Sequence, residues 1–117
     1  MKRDMDLWRL MLRRYEGEQP EPDLSKYTTE QILYHDQLMQ EAGHILAEFI
    51  KNEHGDVVTS IVERLTNAGH DFLEASRNDT VWAKFKKATL KVGGGVSIPV
   101  AIELLKAYAK TELGISP

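Results

Sequence analysis

A chain of 117 residues with 42% hydrophobic and 28% charged side chains is long enough for one core and has the profile of a folded domain, neither disordered nor fibrous. The formal net charge is −3 and cysteine is absent, which excludes disulfides and thiolate chemistry and weighs against a generally basic nucleic-acid binder. No apolar run approaches the ~20 residues of a bilayer crossing, and the opening "MKRDMDLW" lacks the apolar stretch of a secretory signal, so a cytoplasmic location without membrane contact is expected.

Residues 4–15, "DMDLWRLMLRRY", align Met5, Trp8, Leu12 and Tyr15 in one stripe with Leu7, Leu10 and Met11 on its flank, which predicts a helix enclosed by other elements. Asp6, Arg9 and Arg13 are expected to face water, and Asp4 and Asp6 favour the helix start. Residues 16–27, "EGEQPEPDLSKY", combine Gly17, Pro20 and Pro22 with four acidic side chains and read as a loop. Thr28 or Thr29 caps a second helix with Glu30 in its first turn. At about 100° per residue, Ile32, His35, Leu38, Met39 and Ala42 share its inner face. Glu30, Leu33, Gln37, Gln40 and Glu41 then face outward, with Tyr34 at the edge. Gly43 suits the left-handed residue that stops it.

"ILAEFIK" and "VVTSIVERL" are rich in β-branched residues, and "NEHGD" between them supplies turn chemistry, so the pair predicts a β-hairpin. Thr66 opens a short helix, "NAGHDFLEAS", that buries Ala68, Phe72 and Leu73. Asn78 or Asp79 caps the next, "TVWAKFKKATLKV", with Val81, Phe85, Ala88 and Val92 along one side and Trp82 beside them. Glycines 93–95 interrupt the chain, and Ser97 caps a last helix with Ala101, Leu104, Leu105 and Tyr108 as its stripe and Gly114 as its end. The expected fold class is mainly α with one β-hairpin. It is read as a single domain over 1–117: a winged-helix-like core over 1–76, its wing hairpin at about 45–65, and a C-terminal helical extension over 77–117. The extension packs on the same core or forms a dimer contact; the apolar-rich first and last helices could supply a homodimer surface.

The strings "MKRDMDLWRLML", "TTEQILYHDQLMQEAGHI", "LTNAGHDFLEASRNDTVWAKFKK" and "GGGVSIPVAIELLKAYAKTELG" run nearly end to end. On them the chain resembles the family catalogued as domain of unknown function 2513, found in bacterial and phage or prophage genomes. The resemblance implies a winged-helix-like core and carries over no catalytic or binding residue. The chain departs from the family pattern at Trp8 and in the acidic loop "EGEQPEPD".

Residues 28–45, where a winged helix would read DNA, contain no lysine and no arginine. Glutamines can recognise adenine, but phosphate contacts supply most of the affinity, and acids at 30, 36 and 41 and at the turn (Glu53, Asp56) oppose them. Leu33, Tyr34, Gln37 and Gln40, with His54 at the wing tip, read instead as a protein-contact surface. The alternative is a DNA-binding regulator whose phosphate contacts come from Arg77, Lys84, Lys87 and Lys91, against the plainer reading of those lysines as a solvated helix face. Arg9 and Arg13 form a second basic pair.

Of the four histidines, His35 lies on an apolar face and reads as a hydrogen-bonded core residue. No pair has metal-binding spacing, so neither metal nor cofactor is expected. The glycine run lacks the Lys-Ser or Lys-Thr of a phosphate loop, and no serine or threonine sits in a nucleophile motif. The expected role is therefore non-enzymatic: a protein-interaction accessory factor of phage, prophage or bacterial regulatory type, with DNA binding as the alternative.

Overall fold

The structure, a computed structural model, describes residues 1–91, 93 and 95–113. Val92, Gly94 and Gly114, which the sequence assigns to a helix stripe, a chain break and a helix stop, lie outside the described residues. The order is α1 (Met5–Glu16), α2 (Thr29–Glu41), β1 (Ile45–Lys51), β2 (Val57–Leu65), α3 (Asn67–Ser76), α4 (Asp79–Lys91) and α5 (Ile98–Leu113). The fold is mainly α with one antiparallel hairpin, as the hydrophobic periods predict. Among the described residues no helix is long and apolar enough to cross a membrane. The chain divides into two compact units, Met1–His70 and Asp71–Pro117, and the division falls inside α3.

In the first unit, α1 starts where the Asp4 carboxylate accepts the backbone N–H groups of Asp6 (2.9 Å) and Leu7 (3.2 Å). It stops at Gly17, whose φ of 95° is left-handed. Leu7, Trp8, Met11 and Leu12 are all buried. Arg9 corrects the sequence reading: it is only 8% exposed, not turned to water, because the covered arc is wider than the stripe and arginine can bury its aliphatic stem.

The second helix begins with a capping box. Thr28 Oγ1 accepts the Gln31 N–H at 3.1 Å, and Gln31 Oε1 accepts the Thr28 N–H at 2.8 Å. Its buried side chains are His35, Asp36 and Met39; Ile32 and Leu38 are half-buried and Ala42 is exposed. The inner face is thus turned toward Asp36 relative to the sequence reading, which had placed Ala42 inside. Asp36 lies about 40° from Ile32 around the helix, well within a buried arc, and only its charge argued for the outside.

The hairpin pairs Glu48 with Ile61 and Ile50 with Thr59, and the register shifts after Leu46 and after Ile50. The helix α1 packs on β2, and α2 packs on both strands. Thr66 then ties the exit of the hairpin to its entrance. Its N–H donates to the His44 carbonyl at 2.9 Å and its hydroxyl to the Gly43 carbonyl. The same hydroxyl accepts the Gly69 N–H at 3.1 Å, so Thr66 starts α3 as the sequence indicates. Ala68, expected inside, is exposed, because the contact side of this turn passes through Gly69.

The second unit is built on Phe72 and Leu73 from α3, Val81, Trp82 and Phe85 from α4, and Ala101 and Leu105 from α5, all buried. Phe72 meets the Trp82 ring edge-on at 6.5 Å, and Trp82 lies 5.0 Å from Phe85. Asn78 Oδ1 accepts the Val81 N–H at 3.0 Å to cap α4. Ser97 opens α5, its carbonyl accepting the Ala101 N–H at 2.8 Å.

Candidate functional site

The turn between the strands is organised by Asn52. Its Oδ1 accepts the N–H groups of His54 (2.9 Å) and Asp56 (3.0 Å), and its own N–H donates to the Asp56 carbonyl at 2.9 Å. Gly55, at φ 85°, completes the turn where a side chain would be strained. This geometry sets the base of the turn beside α2. Between them is a cleft of about 440 Å³ lined by Leu33, Tyr34 and Gln37 from α2 and by Lys51, Asp56 and Val57 from the hairpin. Glu30 and Met1 stand at its rim.

Three of the five residues read from the sequence as a contact surface therefore meet in one place. Leu33, Tyr34 and Gln37 are half-buried, not fully exposed. The Tyr34 ring meets His35 edge-on at 5.8 Å, and the Gln37 amide donates to the Leu33 carbonyl at 3.2 Å, so the wall is held in shape. Gln40 is used differently: its Oε1 accepts the Ala47 N–H at 2.5 Å, supporting β1 where the register shifts. It lines a second groove, of about 550 Å³, with Leu46, Glu48, Ile61 and Glu63. His54 stands exposed at the turn, its Nε2 3.7 Å from Glu53.

The basic residues are also distributed. Arg77 pairs with Glu74 at 3.1 Å and Lys84 with Glu112, whereas Lys87 and Lys91 are exposed one turn apart on α4. Arg13 is paired with Glu18 at 2.5 Å. Among the described residues no group of three or more histidines and carboxylates could hold a metal ion.

Behind the cleft wall lies a buried polar layer. His35 is fully buried, with Nε2 accepting the Asp4 N–H at 2.8 Å and Nδ1 lying 2.8 Å from the Gln31 carbonyl. The neutral tautomer with its proton on Nδ1 satisfies both partners. Asp36, 1% exposed, accepts the Tyr15 hydroxyl at 2.6 Å on one oxygen and the Ser60 hydroxyl on the other, joining α1, α2 and β2. Burial pushes the Asp36 carboxyl above its ordinary range, and the two hydroxyl donors pull it partly back. Burial, with the Asp36 carboxylate beside it, pushes the Tyr15 hydroxyl well above its usual value. These residues carry no motif. The signal in the sequence was the position of Asp36 next to His35 on the inner arc.

Comparison with known proteins supplies a family and no activity. The family model described as hypothetical protein (DUF2513) matches residues 2–96. A relative from Haemophilus influenzae, described as an uncharacterized protein, is 33% identical over 117 residues, covering 95% of this chain and 94% of its own length. No solved structure matches the chain. A family match over most of the length and a relative that aligns almost end to end carry the resemblance seen in the motifs, and the chain belongs to the DUF2513 family.

Proposed function

We propose that this is a non-enzymatic protein-binding domain of winged-helix type, a cytoplasmic accessory factor in bacterial or prophage regulation, and that its contact site is the cleft between α2 and the wing. The observation that carries the proposal is the composition of that cleft. An aromatic ring, a leucine, a valine and the Gln37 amide line it, together with the charged side chains of Glu30, Asp56 and Lys51. The exposed carboxylates of Glu30, Glu41, Glu53 and Asp56 repel a phosphate backbone from the two elements that read DNA in such folds. Asp36, being buried and hydrogen-bonded, takes no part in that repulsion.

The test is affinity purification from the native host with and without nuclease, repeated with Leu33→Ala and Tyr34→Ala. A partner protein recovered in both treatments, and lost with the variants while their far-ultraviolet circular dichroism is unchanged, is the expected outcome. Retention of that partner by both variants overturns the cleft as its site.

A second reading, a DNA-binding regulator, is favoured by one observation: Lys87 and Lys91 are exposed on the same side of α4. It requires duplex affinity that falls steeply with salt and a shallower slope after Lys87→Ala and Lys91→Ala. Arg77 and Lys84, already ion-paired, contribute less to that slope.

A further inference from the structure

One face of the hairpin is open to solvent at Leu46, Ile50 and Ile61. Its alternating positions Leu46, Glu48 and Ile50 on β1 stand across from Arg64, Ile61 and Thr59 on β2. Ile50 is 49% exposed, Ile61 52% and Leu46 38%, a concentration of aliphatic surface on one small sheet. The groove on this face has Leu46 and Ile61 as its floor and the carboxylates of Glu48 and Glu63 beside them. Whatever covers it must bring an aliphatic side chain flanked by cations.

The chain itself carries such a surface. On α4, Leu90 is 74% exposed, and Lys87 and Lys91 flank it at one turn's distance and at the next position. Lys84 and Arg77 have carboxylate partners of their own, which leaves Lys87 and Lys91 to meet an incoming acid. The charge of the whole sequence divides the same way. Residues 1–70 hold eight lysines and arginines against thirteen carboxylates, whereas residues 71–117 hold seven against five. Both surfaces are open to solvent in the single chain.

We propose that this open face of the hairpin is occupied by α4 of a second copy of this chain, with Leu90 seated between Leu46 and Ile61 and with Lys87 and Lys91 against Glu48 and Glu63. This goes beyond the cleft of the preceding section and uses none of its residues. Hairpin against hairpin fits less well, because two acids of each copy would face two acids of the other with Arg64 as the one base on each side. A polyanion is repelled by the same carboxylates. If the contact is reciprocal about a two-fold axis it closes as a dimer containing two identical contacts.

Sedimentation velocity on the nuclease-treated full chain tests this. The expected result is association that rises with concentration and weakens as salt is added. Glu48→Lys and Lys87→Glu each place like charges together and weaken association about tenfold or more. An equimolar mixture of the two variants restores it, because the lysine on one hairpin now meets the glutamate on the other molecule's α4. Glu63→Lys serves as a second hairpin variant, thermal melts establish that each variant is folded, and Tyr34→Ala leaves association unchanged. A wild-type chain that stays monomeric at every concentration overturns the proposal. So does association that ignores Lys87→Glu, which points to hairpin–hairpin pairing, and so does a mixture that fails to reassociate.

Discussion

The indole N–H of Trp8 donates a 3.0 Å hydrogen bond to Nδ1 of His44, thirty-six residues away, with the two rings edge-on at 5.5 Å. Both residues are 1% exposed. The bond fixes α1 to the point where the chain leaves α2 and enters the hairpin, so it links the helix that fills the core to the element that forms the cleft.

That bond needs His44 neutral, and burial lowers its pKa from the ordinary 6.5. The unfolded chain therefore takes up a proton that the folded chain refuses. The contribution of His44 to stability is full above pH 6.5 and is lost as pH falls from there through the lowered folded value, at a limiting slope of about 1.4 kcal/mol per pH unit. Thermal melts across this range should show the decline, and Trp8→Phe, which takes the donor away, should cost about 1–3 kcal/mol at neutral pH. A flat profile from neutral pH to pH 5 contradicts the assignment.

Asp36 acts with the opposite sign. Its folded pKa is raised, so its contribution is full below the ordinary 3.8 and is lost as pH rises through the folded value, where a charge must then be kept inside. The Tyr15 and Ser60 hydroxyls offset that charge. Removing one donor by Tyr15→Phe should cost about 1–3 kcal/mol at neutral pH. The loss should shrink in acid, where Asp36 is protonated and accepts a weaker bond. Urea unfolding of the variant at two pH values measures this; an equal loss at both would be incompatible with a charge-assisted bond.

Gly69 marks the closest approach of two backbones. A Cβ built there would lie 2.1 Å from the His44 carbonyl oxygen and 3.0 Å from its carbon, and neither can swing aside as a side chain would. Gly69→Ala should therefore destabilise by about 1–3 kcal/mol or more. Gly95→Ala, with nothing within 4 Å of the new methyl, is the matched control and should change stability little. Equal melting temperatures for the two variants would show that the His44 contact is not tight.

The Lys84–Glu112 ion pair joins α4 to α5 with both side chains partly in water. Screening limits such pairs, so Lys84→Ala should change the stability of the protein by about 1 kcal/mol or less. A loss of several kcal/mol in denaturant titration would mean that the pair holds the two helices together.

What the linear sequence could reveal here was local. The hairpin expected at about 45–65 forms over 45–65, the caps fall on Thr28 of the pair Thr28 or Thr29 and on Asn78 of the pair Asn78 or Asp79, and Gly43 takes the left-handed turn expected of it after α2. Each of these depends on neighbours within a few positions, through hydrogen bonds, hydrophobic period and backbone freedom. Leu33, Tyr34 and Gln37 share a helix face, so their proximity was legible as well; that Lys51, Asp56 and Val57 complete a cleft with them was not, because the spacing says nothing of where a hairpin leans.

Tertiary packing decided the remainder. Whether Arg9 and Asp36 stay in water depends on whether distant segments cover them and offer partners, as Tyr15 and Ser60 do for Asp36 from other elements. For His44 the deciding partner is Trp8, and for Gly69 it is a carbonyl twenty-five residues upstream. A charged or polar group carries its hydration preference in the sequence, but the energy of burying it is set by partners that only the folded chain supplies.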